Sequence, residues 1–107
     1  MSLAVRMVNL YKYLTEEKRE YVLSKQILRS GTSVGAMVYE SEHSESTSDF
    51  IHKLAIAQKE INETLYWLEL LSKTEYITPK EYDSIRTDAT EVIKLLTSIL
   101  KTIKKQQ

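Results

Sequence analysis

The sequence predicts an all-α fold, an antiparallel up-down-up-down four-helix bundle, and three observations predict it. Only two glycines and one proline occur in 107 residues, which leaves little turn chemistry, and no stretch alternates apolar and polar residues with period two. Apolar residues recur instead at spacings of three and four along four separate stretches. The links between those stretches are short, which makes successive helices antiparallel neighbours. The expectation is a single domain over residues 1–107, with helices at about 3–14, 16–43, 47–74 and 79–104.

The first helix rests on Leu3, Met7, Leu10 and Leu14, about three turns. The second is predicted to start near Thr15, because Glu16 and Glu17 follow it and negative charge favours a helix N-terminus. Its apolar face then runs through Leu23, Ile27, Gly31, Val34 and Val38. Gly31 and Gly35 are the only glycines in the chain, and glycine inside a helix costs roughly 0.5–1 kcal/mol relative to alanine. They project to the same side as Ile27, Val34 and Val38, where small residues four apart let a neighbouring backbone approach closely. The competing reading makes "SGTS" a loop that splits this helix in two. A phosphate-cradling glycine loop is disfavoured, since no strand precedes it and no Gly-Lys-Ser/Thr follows.

The third helix opens on "STSD", with Ser46 as N-cap and Asp49 three residues on, followed by Phe50, Leu54, Ala57, Ile61, Leu65 and Leu68 on one face. The fourth opens on "TPKE": Thr78 as N-cap, Pro79 at the first helical position and Glu81 closing a capping box. Tyr82, Ile85, Ala89, Val92, Leu96, Ile99 and Ile103 continue it. Three helices of ~26–28 residues and one of about half that length cannot match, so some apolar surface stays open.

Composition narrows the function. The chain has no cysteine, which excludes disulfides and thiolate metal sites and fits a reducing cytoplasm. No apolar run approaches the ~18 residues of a membrane span. Catalysis finds little support: there is no Ser/His/Asp arrangement in strand–turn context and only two histidines. The pairs Glu40/His43 and Asp49/His52 have the i,i+3 spacing of carboxylate bundles that bind two metal ions. They crowd the 44–46 turn, and the first helix offers no inward carboxylate, so they read as solvated charge. No metal, cofactor, membrane or small-molecule substrate is expected.

Charge is unevenly distributed although it sums to zero. Residues 1–39 carry +3, residues 40–69 carry −5 and residues 70–107 carry +2. Lys18, Lys25 and Arg29 are expected on the outward face of the second helix as one basic stripe. Lys94, Lys101, Lys104 and Lys105 form another on the fourth. Both are candidate nucleic-acid contacts, although cations also suit a helix C-terminus and keep surfaces soluble. On the third helix Ile56, Glu60, Glu63, Tyr66, Trp67 and Leu70 project away from the core stripe. A helix apolar on two sides is normally buried on two sides, which marks this face as a candidate oligomer interface. The alternative is that the first helix or the loop before the fourth covers Trp67.

The stretch from Leu10 to Ile77 also resembles a known family. Gln26, Arg29, Ser30, Ser33, Gly35, Ala36 and Glu40 carry the likeness, with Ser46, Asp49, Phe50, Leu54, Ala57, Lys59, Glu60, Glu63, Thr64, Tyr66, Trp67 and Leu68. Together they resemble the bacterial proteins encoded within intervening sequences of 23S ribosomal RNA genes, a family that includes accessory proteins of diversity-generating retroelements. Met37 and Tyr39 stand where that family tends to have Asn and Ala, so polar contacts of that Asn do not carry over. The resemblance implies a ring-like homo-oligomer, a pentamer in form, and binding rather than catalysis. Two function classes follow: a homo-oligomeric adaptor for RNA or a ribonucleoprotein partner, and a purely protein-binding or structural bundle.

Overall fold

The computed structural model describes residues 2–106. Four helices make up the chain, with no strand among the described residues: α1 (Ser2–Glu16), α2 (Leu23–Ser41), α3 (Thr47–Lys73) and α4 (Pro79–Gln106). They pack into a body of 48 × 22 × 18 Å. α2 packs on α3, α3 on α4, and α1 on both α2 and α4.

The helix starts at α3 and α4 form as their side chains dictate. The Ser46 hydroxyl accepts the Asp49 amide at 3.1 Å, while the Asp49 carboxylate accepts the Glu45 amide at 3.2 Å. At α4 the Thr78 hydroxyl accepts from the Glu81 amide (3.1 Å) and the Glu81 carboxylate accepts from the Thr78 amide (2.9 Å), a reciprocal capping box.

The second helix begins at Leu23, not near residue 16. Thr15 does not cap it: the residue lies in α1, and its hydroxyl donates back to the Tyr11 carbonyl at 2.9 Å. The chain turns over residues 17–22, with Arg19 in the left-handed region at φ 52°. Glu20 then starts α2, its carboxylate accepting from the amides of Val22, Leu23 and Ser24 at 3.2, 3.0 and 2.7 Å. These are the amides that the first turn leaves without an intrahelical partner. α2 is accordingly 19 residues long, against 27 for α3 and 28 for α4, so two helices are long and two short.

The Arg29–Val38 segment is helical throughout, so there is no loop at "SGTS". α1 crosses α2 at its glycines. A Cβ on Gly31 would sit 2.3 Å from Met7 Cγ and 2.6 Å from Met7 Sδ; one on Gly35 would meet Ala4 Cβ at 3.6 Å. Met7 is fully buried above Gly31. The glycine therefore makes room for a core side chain of α1.

Two apolar clusters result. The larger joins Leu3, Met7, Leu10 and Leu14 of α1 to Ile27 and Val34, to Ile61, Leu68 and Leu71, and to Ile85 and Ala89. The smaller is built from Leu54, Ala57, Leu96 and Leu100, flanked by half-buried Met37, Val38, Phe50, Ile51, Val92 and Ile99. No residue of α1 belongs to it.

Candidate functional site

The candidate cations fall into three situations. Lys18 lies in the 17–22 link rather than on α2, exposed, with its ammonium 5.8 Å from the Tyr13 ring centroid. Lys25 is exposed on the first turns of α2. Arg29 is tied to α3: Nη1 donates to Glu60 at 3.2 Å and Nη2 donates to Glu63. The expected stripe of three cations on one helix is thus reduced to Lys25, because its first member precedes the helix and its last is matched by two carboxylates. Lys94, Lys101, Lys104 and Lys105 are all exposed on α4 and form no ion pair among the described residues.

The outward face of α3 is a connected polar and aromatic patch. Glu63 accepts from Arg29 and also from Trp67 Nε1 at 3.0 Å. Trp67 is half-buried against the larger core cluster, and its ring meets that of Tyr66 edge-on, centroids 4.9 Å apart. Tyr66 itself is 59% exposed. Ile56 and Leu70 are half-buried. Beneath this patch Ser30 and Thr64, both fully buried, meet with their hydroxyl oxygens 3.0 Å apart, while Thr64 also lies 2.8 Å from the Glu60 carbonyl. Glu60 and Glu63 therefore fasten α2 to α3 within one chain, leaving Tyr66 as the most exposed member of the expected interface.

The acidic 40–49 segment behaves differently from the acids of α3. Asp49 pairs with Lys53 at 3.1 Å, and that hydrogen bond, with the Glu45 amide, holds its carboxyl below the usual carboxylate range. Glu40, Glu42 and Glu45 are exposed and form no ion pair among the described residues. His43 is exposed and tilted against Tyr39, ring centroids 5.7 Å apart. Among the described residues no group of three His, Asp or Glu side chains is gathered as a metal would need, and no helix is long and apolar enough to cross a membrane.

One link was missed by sequence reasoning. Arg6 of α1 donates to Asp88 at 2.7 Å and to the Ser84 hydroxyl at 3.0 Å and carbonyl at 3.2 Å. It fastens the short helix to α4. A basic residue between Val5 and Met7, one step off the apolar face, was the only signal for it.

The family model for the 23S rRNA-intervening sequence protein matches residues 1–98. The chain belongs to that family. A crystal structure of a protein of unknown function from the S23 ribosomal protein family of Bacteroides thetaiotaomicron superposes with a TM-score of 0.92 at 62% identity, covering 94% of this chain and 93% of that one. A search of curated proteins finds no match. Membership in the 23S rRNA-intervening sequence protein family agrees with the resemblance carried by residues 10–77.

Proposed function

We propose that this protein is a non-catalytic, self-assembling helical adaptor that binds RNA through the exposed lysines of α4. The arrangement is an antiparallel up-down-up-down bundle, and copies associate into a ring, five of them as the family resemblance implies. The single observation that supports RNA most is the set Lys94, Lys101, Lys104 and Lys105: four exposed cations on one helix, unmatched by any carboxylate among the described residues. Repetition of that edge around an assembly adds their potentials, so a neutral subunit can still hold a polyanion. The family's connection with 23S rRNA supports the choice of RNA over other polyanions. Self-association is assigned to the α3 face at Ile56, Tyr66, Trp67 and Leu70, with Glu60 and Glu63 held flat beneath it by Arg29.

The non-catalytic part rests on side-chain chemistry. The carboxylates of the structure are engaged in caps and ion pairs or stand exposed, and none converges with a histidine or hydroxyl as acid–base or nucleophilic catalysis requires. Anisotropy of a labelled, structured RNA hairpin at low salt tests the reading. The wild type should bind at roughly micromolar Kd with a steep salt dependence, as non-specific phosphate contacts do. The variant Lys101→Glu/Lys104→Glu/Lys105→Glu should lose that binding while keeping its helical content. Unchanged binding by the variant, or none by the wild type, removes RNA from the proposal.

A further inference from the structure

α1 occupies only part of the channel it lies in. Ala4 meets Gly35 and Met7 covers Gly31, so lower numbers in α1 pair with higher numbers in α2. Arg6 meets Ser84 and Asp88 of α4. Helical spacing continues these same faces past the start of α1. On α2 the residues after Gly31 and Gly35 are Val38 and Glu42. On α4 those after Ser84 and Asp88 are Val92, Leu95, Ile99 and Ile103. Leu95 is 59% exposed, and Val92, Ile99, Ile103 and Val38 are only half-buried. Phe50 and Leu54 of α3 lie between the two walls in the smaller core cluster, to which α1 contributes nothing.

The channel that holds a helix at one end is therefore open at the other, with an apolar lining of the same spacing. Its rims differ in charge. The α4 side carries Lys94 and Lys101, and the α2 side carries Glu42 beside Tyr39. The uncovered stripe from Val92 to Ile103 is about 16 Å long at 1.5 Å per residue, three turns of helix.

We propose that this open half-channel docks an amphipathic helix of a partner protein, continuing the groove that α1 fills. The helix presents apolar residues at i, i+3/i+4 and i+7 to Leu95, Ile99 and Ile103, carboxylates to Lys94 and Lys101, and a cation to Glu42. Helix-in-groove recognition of this kind reads apolar anchors for affinity and flanking charge for orientation. A second copy fits less well through its own exposed apolar helix face: Val5 and Val8 of α1 are flanked by Arg6 and Lys12, which bring cations to the lysine rim.

The surface is independent of the RNA reading, since it turns on Leu95 and Ile99 rather than on phosphate contacts. The test uses two labelled synthetic helices of about 14 residues, long enough for the three-turn stripe. They share one leucine stripe; one carries Glu on the flank that meets α4 and Lys on the other, and its mate has these charges exchanged. The first should bind the full-length protein and the second roughly tenfold or more weakly. Leu95→Glu, at an exposed position, should abolish binding without loss of helical content or of RNA binding. Lys94→Glu/Lys101→Glu should transfer the preference to the charge-exchanged helix. Binding of neither helix, or binding indifferent to Leu95→Glu, overturns the proposal. So does dissociation of a wild-type oligomer by Leu95→Glu, which assigns the groove to a second copy, and so does loss of RNA binding in that variant, which assigns it to nucleic acid.

Discussion

At the scale of single residues the two glycines are not equivalent. A methyl on Gly31 collides with Met7 Cγ and Sδ, and Met7 is fully buried with no free direction to retreat. A methyl on Gly35 reaches Ala4 at ordinary contact distance. Gly31→Ala should therefore destabilise by about 1–3 kcal/mol, as overpacking does. Gly35→Ala should be neutral or stabilise by up to ~1 kcal/mol through helix propensity. Urea unfolding of both variants checks the ranking; equal effects would mean that Met7 repacks freely. Their spacing and their side of the helix made the close approach legible, because both follow from 100° per residue. Which glycine is indispensable was not legible, since that depends on which α1 side chain lies opposite each one. Glu81 supplies a pH-dependent contribution. The Thr78 amide, and then its hydroxyl, hold the carboxyl below the usual carboxylate range. A lowered carboxyl stabilises the fold above its unfolded value and loses that contribution as pH falls through the lowered one. Glu81→Gln keeps a capping acceptor without the charge, so it should flatten the stability profile between about pH 5 and about pH 3. Parallel wild-type and variant profiles in acid would contradict the linkage.

At the scale of elements, helix starts were legible where a short side chain bonds an amide three residues ahead, and illegible elsewhere. Ser46 and Thr78 are of the first kind. α2 is of the second, because Glu20 reaches forward with a longer side chain to three amides at once. The run Thr15-Glu16-Glu17 imitated a start that the backbone does not make. Glu20→Ala should cost about 0.5–2 kcal/mol, the range for loss of a helix cap. Amide exchange should speed up first at residues 22–24; slow exchange there would show that the cap is dispensable. The helix ends were hidden for a related reason. Tyr76 donates to the Leu71 carbonyl and Glu75 to that of Ser72, a Schellman ending with Glu75 at φ 67°. Glycine usually fills such positions, yet here Arg19 and Glu75 take the left-handed turns while both glycines sit inside α2. Between elements, Arg29 is the fastener. Arg29→Glu would place three carboxylates together on the α2–α3 seam, so its effect on RNA binding would be confounded with loss of packing. The α4 lysines are free of that defect.

At the scale of the whole molecule, four helices of unequal length explain both the stability and the exposure. The larger cluster uses all four helices, the smaller only three, and the difference is the length of α1. The inequality was visible in the spacing of Leu3, Met7, Leu10 and Leu14, while the place where the uncovered surface falls needed the pairing of Arg6 with Asp88. Among the candidate contacts, the lysines of α4 stand where the sequence puts them, because a long amphipathic helix keeps its outward face regardless of partners. Arg29 and Lys18 do not, since one depends on cross-helix pairing and the other on where a turn begins. Assembly should depend on the aromatic face: Trp67→Ala should shift a wild-type oligomer toward monomer in light scattering, and an unchanged mass would release that face from the interface. The adaptor reading joins assembly and RNA in one object. Size-exclusion light scattering of the wild type mixed with a structured RNA hairpin at low salt measures both at once. The account predicts one species containing RNA and several copies of the 12.5 kDa chain. A 12.5 kDa protein peak eluting apart from the RNA would contradict it.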